Sequence, residues 1–191
     1  TGDNAGGGEL EIRGIKLANK LHPEVKGKKI ELVIADNKSD KAESANVAAR
    51  LIEKDKVKVI LGTYGSSLAM AAGNIVKEAK VPAIGTSCTN PQVTKGNDYY
   101  FRACFIDPVQ GKIAASFIKN DLGMTKAAII YDNADTYSTG MKEAFEESFK
   151  AIGGEIVEAQ AFSGADVKDY SAQLTNIKAA NPEVVYVPCH I

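Results

Sequence analysis

The chain has 191 residues, 45% of them hydrophobic and 25% charged, and its 23 Lys and Arg nearly balance 24 Asp and Glu to leave a net charge of −1. That length supports one large α/β domain or two smaller lobes, and that charge argues against the basic stripes of a nucleic-acid surface. No apolar run approaches the ~20 residues of a membrane-spanning helix, and three scattered cysteines (Cys88, Cys104, Cys189) with two histidines argue against a zinc set or a disulfide framework.

The opening segment Thr1–Gly8 reads as a glycine-rich loop without the basic and apolar leader of a signal peptide. Leu10, Ile15, Leu17, Ala18 and Leu21 then recur at helical spacing, and Ile30–Ala35 carries the branched residues of a strand. Ser39 and Asp40 open a helix bearing Ala45, Val47, Ala48, Leu51 and Ile52, with Asp40 and Glu43 spaced as a capping box. Val57–Gly62 is the next strand, a helix runs from Ser66 or Ser67 to about Ala79, and Pro82–Ile84 is a short third strand. Asp98–Ile106 is extended and follows with no intervening helix, which marks a crossover between two lobes with its boundary at Ala103–Pro108. Asp107 and Pro108 read as N-cap and first helical position, and Gly123 closes that helix. Ala127–Tyr131 is a strand, Ser138–Ile152 a helix, Ile156–Phe162 a strand, Tyr170–Ala180 a helix and Val184–Val187 the last strand. The alternation predicts the α/β class, with parallel sheets flanked by helices in residues 1–104 and again in residues 105–191. A core strand so near the last residue leads us to expect a fragment, or a chain whose remaining parts are separate.

Ligands of parallel α/β sheets gather beyond the carboxyl ends of the strands, at helix N-termini. Three such turns are rich in small polar residues. The first, Gly62–Ser67, holds Tyr64, Ser66 and Ser67 beside helical N–H groups that suit a carboxylate or phosphate, although capping its own helix is the commoner fate of a serine such as Ser66. The second, Gly85–Pro91, gathers Thr86, Ser87, Thr89 and Asn90, a composition that a solvated turn also shows. The third, Tyr131–Gly140, offers Tyr137, which either reaches outward or packs on its own lobe while Asp135 or Ser138 caps the helix. No G-x-S-x-G, P-loop or G-x-G-x-x-G is present, and nothing places His22 or His190 beside Cys88, so no catalytic residue, metal ligand or cofactor is expected.

The ordered strings TGDNA (1–5), GIKLA (14–18), ADNKSD (35–40), ILGTYGSS (60–67), VPAIGTSCTNP (81–91), YYFRACFIDPVQG (99–111) and AAIIYDNADTYSTGM (127–141) span the chain. In that order and spacing the chain resembles the periplasmic branched-chain amino-acid-binding proteins of ABC transporters. The resemblance implies two Rossmann-like lobes of the type I binding-protein fold that close on one amino acid, with an ABC permease as partner. It implies a place in the periplasm or on the outer face of the envelope, with or without a lipid anchor, and neither nucleic acid nor a membrane span. It further implies that Ser66 and Thr89 hold the ligand carboxylate, and that the Ser87 carbonyl, with Thr89, meets the ammonium. By the same resemblance Asp107 is expected near hinge and cleft, and Tyr137 is expected to come from the opposite lobe. Gly7 stands where the family usually has a tyrosine, and the family's acidic ammonium ligand, first strand and return segments have no counterpart in these residues.

The function expected is a non-enzymatic receptor for a free, aliphatic amino acid. A ligand-sensing regulatory domain of the same fold is the alternative. A flavodoxin-like switch using Asp36 and Asp132 would need those two residues in one lobe, whereas the pattern places them in different ones.

Overall fold

A computed structural model describes residues 1–164 and 166–190. The chain falls into two units: Thr1–Cys88 with Gln92–Cys104, and Thr89–Pro91 with the residues from Phe105 onward.

In unit one, helix α1 (Ala5–Leu21) starts inside the segment read as a loop. Glycine is a poor helix former, but Gly7 lies where a Cβ would come 2.3 Å from the Tyr64 ring, so packing overrides propensity there. None of the α1 residues is buried, and Leu10, Leu17 and Leu21 are exposed. A hairpin unforeseen in the sequence follows, β1 (Glu24–Val25) antiparallel to β2 (Lys28–Lys29). Its central residues Lys26 and Gly27 both have positive φ, as a type I′ turn requires.

The strand expected over Ile30–Ala35 forms no ladder, and the one expected over Val57–Gly62 contracts to β3 (Ile60–Leu61). Both segments wall a groove of about 540 Å³ that runs between Lys29–Ala35 and Asp55–Leu61. A strand needs a neighbour at about 4.8 Å to pair with, and here each of the two faces the groove instead. Helix α2 (Lys41–Glu53) opens on Asp40, whose carboxylate accepts from Glu43 N–H at 2.8 Å. The reciprocal arm of the capping box is not made, because Asp40 N–H donates to the Asn37 carbonyl. Then come α3 (Ser66–Ala79), β4 (Ala83–Gly85) and β5 (Tyr100–Arg102). The sheet order is β3-β4-β5, all parallel, with Ile60 opposite Ala83 and Ala83 opposite Tyr100. The core is Ala69, Val76, Ala83, Cys88, Val93 and Tyr100.

Unit two begins its main run with α4 (Asp107–Ser116), continued by a π-type turn at Phe117–Asp121. The cap falls one residue earlier than the Asp-Pro pair suggests, on Ile106, so Asp107 is the first helical residue. Then follow β6 (Lys126–Asp132), α5 (Thr136–Ala151), β7 (Glu155–Phe162), α6 (Ser171–Ala179) and β8 (Val184–Tyr186). The parallel sheet runs β7-β6-β8. Central β6 is an apolar run because both of its faces are covered. Ala127 and Ile129 meet Phe145 and Phe149 on one face, and Ala128 and Ile130 meet Ile177 on the other. Helix α4 lies close on α5, with Gly111 set so that a Cβ would come 2.5 Å from the Ala144 carbonyl carbon.

Candidate functional site

In unit one the turn after β3 is closed by Gly65, the N-cap of α3, at φ +92° and without a side-chain capping bond. Glycine takes that φ without strain. Ser66 and Ser67 are therefore the first two helical residues rather than caps, fully buried and 9% exposed respectively. The start of this 14-residue helix directs N–H groups and the positive end of its dipole toward whatever lies before it. Tyr64 forms an isolated parallel bridge with Ser87, which sets the turns after β3 and β4 side by side. The Tyr64 ring covers Gly7, Thr86 Oγ1 donates to Glu11 on α1, and Asn37 Nδ2 donates to Thr63 Oγ1 at 2.9 Å.

Two groups of unit one are buried out of their ordinary acid range. Burial, then the nearby Cys104, pushes the Cys88 thiol up to about 12. Burial likewise pushes the Tyr100 phenol far above its usual value, and its OH donates to the Gly62 carbonyl at 3.2 Å. A nucleophilic cysteine needs a stabilised thiolate, and Cys88 has the opposite environment.

In unit two, Thr89 and Asn90 are 8% and 6% exposed, and Asp107 is 1% exposed. Asp107 N–H donates to the Thr89 carbonyl at 3.1 Å, and Asn90 Nδ2 donates to the Thr136 carbonyl at 3.0 Å. Asp135 caps α5, its carboxylate accepting from Ser138 N–H at 3.0 Å. Ser138 Oγ in turn accepts from Asp132 N–H, and Asp132 Oδ1 accepts from Ala134 and Gly164 N–H. Asp132 is thus occupied in holding its loop, and Asp36 belongs to the other unit. Tyr137 stacks on His190 with ring centroids 4.7 Å apart, and His190 Nε2 lies 3.6 Å from Asp135 Oδ2. Burial, then Tyr137 and Asp107, pushes the Tyr186 phenol far above its usual value.

Of the residues singled out in the sequence, Tyr64, Ser66, Ser67 and Ser87 lie together in unit one. Thr89, Asp107 and Tyr137 lie in unit two. Asn90 and Gly140 escaped sequence reasoning as a pair, although a glycine inside the helical pattern of α5 is a known sign of close packing. Among the described residues no helix is long and apolar enough to cross a membrane, and no cluster of three or more His, Cys, Asp or Glu is placed to hold a metal ion.

Comparison with known proteins gives a consistent picture. An amino acid binding protein of Pseudomonas aeruginosa is 36% identical over 190 residues, covering 97% of this chain and 50% of that protein. The crystal structure of the leucine binding protein LivK of Thermotoga maritima superposes with a TM-score of 0.92 at 36% identity, covering 98% of this chain and 53% of its own. LivJ of Streptococcus pneumoniae, solved in complex with isoleucine, gives 0.88 at 36% identity, with coverage of 98% and 53%. A solute binding protein of an ABC transporter from Rhodopseudomonas palustris, in complex with 3,4-dihydroxybenzoic acid, gives 0.88 at 31% identity, with coverage of 98% and 51%. The chain spans about half the length of the relatives it matches. Residues 1–187 match the periplasmic binding protein family, and with these parallel α/β units the chain belongs to that family.

Proposed function

We propose that this chain is part of the solute-binding receptor of an ABC importer and that it takes a free α-amino acid with an aliphatic, branched-chain side chain. The observation that carries the reading is the start of α3, where Gly65 rather than a side chain makes the cap and Ser66 is the first helical residue. That arrangement suits a carboxylate, which gains from helical N–H groups, a hydroxyl and the dipole at once. Residues 1–104 would act as the N-terminal lobe and 105–191 as the second. Unit one would supply Ser66, with Tyr64 and Ser67 around it, and the Ser87 carbonyl for the ammonium. Unit two would supply the Thr89 hydroxyl, Asp107 and the ring of Tyr137. The names of the relatives support an amino acid as ligand. Such a receptor performs no chemistry on its ligand, works at the periplasmic or outer face of the envelope and delivers to a membrane permease.

Titration calorimetry of the full-length protein against the amino acids tests this. Leucine, isoleucine or valine should bind 1:1, and Ser66→Ala and Thr89→Ala should each weaken binding about tenfold, the loss of one hydrogen bond to a charged group. The R. palustris neighbour motivates a second titration with 3,4-dihydroxybenzoate. An aromatic acid bound tightly with no amino acid bound would move the ligand class while leaving the carboxylate site in place. Binding unaffected by both substitutions would remove the site itself.

A further inference from the structure

We propose that Asn90 and Gly140 are positioning residues, a latch that fixes Thr89 on unit two; the functional part of this inference rests on the reading that the Thr89 hydroxyl meets the ligand carboxylate. Thr89–Pro91 packs with unit two although Cys88 and Gln92, on either side, belong to unit one. Thr89 and Asn90 lie outside any helix or strand, and Pro91 only opens a three-residue 3-10 turn, so side chains and single backbone bonds help to hold them. One bond is Asp107 N–H to the Thr89 carbonyl, at the first residue of α4. Another is Asn90 Nδ2 to the carbonyl of Thr136, the first residue of α5, which Thr139 Oγ1 also reaches at 3.2 Å.

Gly140, one turn further along α5, is the seat for this amide. A Cβ there would lie 2.4 Å from Asn90 Nδ2 and 2.9 Å from Asp107 Oδ2. Side-chain ends can often swing away from such a clash, but these two are 6% and 1% exposed and have little room. A methyl group at 140 therefore drives the Asn90 amide off the Thr136 carbonyl. Thr89 is the adjacent residue, so its hydroxyl moves with that displacement. Gly140 acts by the absence of a side chain, and Asn90 by the bond to the Thr136 carbonyl that this absence permits.

Calorimetry with L-leucine on the full-length protein tests the latch with Asn90→Ala, Gly140→Ala and the double variant. Each single change should weaken leucine binding about fivefold or more while thermal midpoints stay within a few degrees of wild type. The double variant should bind no more weakly than Gly140→Ala, because the methyl group at 140 has already broken the amide's bond and its contact with Asp107 is the same in both. Wild-type affinity in either single variant, or losses that multiply in the double, overturns the proposal, since a merely structural role would lower the midpoint and spare the affinity. If Gly140→Ala does not fold, Asn90→Ala alone decides by the same affinity criterion. If the wild-type protein binds no amino acid, the ligand reading fails separately. Hydrogen exchange at the Thr89 and Asn90 amides then decides the latch, with faster exchange in Asn90→Ala supporting it and unchanged exchange refuting it.

Discussion

Glu146 lies between two lysines on α5, 2.7 Å from Lys142 Nζ on one side and 2.7 Å from Lys150 Nζ on the other. Hydrogen bonds from Lys142 first and Lys150 second hold its carboxyl below the usual range, and Glu146 in turn raises Lys142. A carboxylate whose pKa is lower folded than unfolded adds stability above the unfolded value, and that stability disappears as pH falls through the folded one. The group whose charge changes across that window is Glu146. Two i,i+4 pairs at a partly exposed site contribute about 0.5–1 kcal/mol together. Glu146→Gln should therefore lower the thermal midpoint at pH 7, and the gap to wild type should close as the buffer is taken below pH 4. A gap that persists in acid would mean that packing, not charge, is what the substitution disturbs.

Between α4 and α5 the spacing is set by a missing side chain. A Cβ at Gly111 would stand 2.5 Å from the Ala144 carbonyl carbon and 2.7 Å from Phe145 N, both of them backbone atoms that cannot rotate away. Replacing glycine by alanine inside a helix gains up to ~1 kcal/mol of propensity, but forcing two packed helices apart costs about 1–3 kcal/mol. The clash wins, and Gly111→Ala should lower the midpoint in a thermal melt. An unchanged or higher midpoint would show that α4 can slide. Helices were the most legible elements in the sequence, for α2, α3, α5 and α6 carry their own periodicity, and α2 and α5 their own side-chain caps. Asp40 and Asp135 each accept the N–H three residues on, a geometry that the sequence pattern alone suggests. Strands were less legible, because a ladder depends on a neighbour as well as on the strand. Ile30–Ala35 has every composition mark of a strand and no partner, whereas Lys26-Gly27 makes a hairpin out of two-residue strands that composition hides. The polar turns at Ser66, Ser87 and Thr89 were legible from their residues. The meeting of Asn90 with Gly140, 50 positions apart, was not, because it depends on tertiary packing.

Over the whole molecule, large apolar side chains stand in solvent along two of the helices. Leu10, Leu17 and Leu21 on α1 are 67%, 57% and 64% exposed, and Val109, Ile113 and Phe117 form an exposed stripe at i, i+4, i+8 along α4 and the turn beyond it. Soluble proteins seldom show such patches without something to cover them. A preparation of these 191 residues should brighten an environment-sensitive hydrophobic dye, and Ile113→Ser with Phe117→Ser should dim it; unchanged emission would mean that this stripe does not take up the dye. The buried thiol of Cys88 has a different use. It rests against Gly85, where a Cβ would lie 2.0 Å from its sulfur, and its high pKa keeps it protonated at neutral pH. A maleimide or iodoacetamide can reach it only in moments when unit one opens, whereas Cys104 and Cys189 are half-buried at all times. Its rate of alkylation thus reports, in the native protein, how often and how long unit one is open. Ligands that close or brace unit one should slow it, without any label having been introduced.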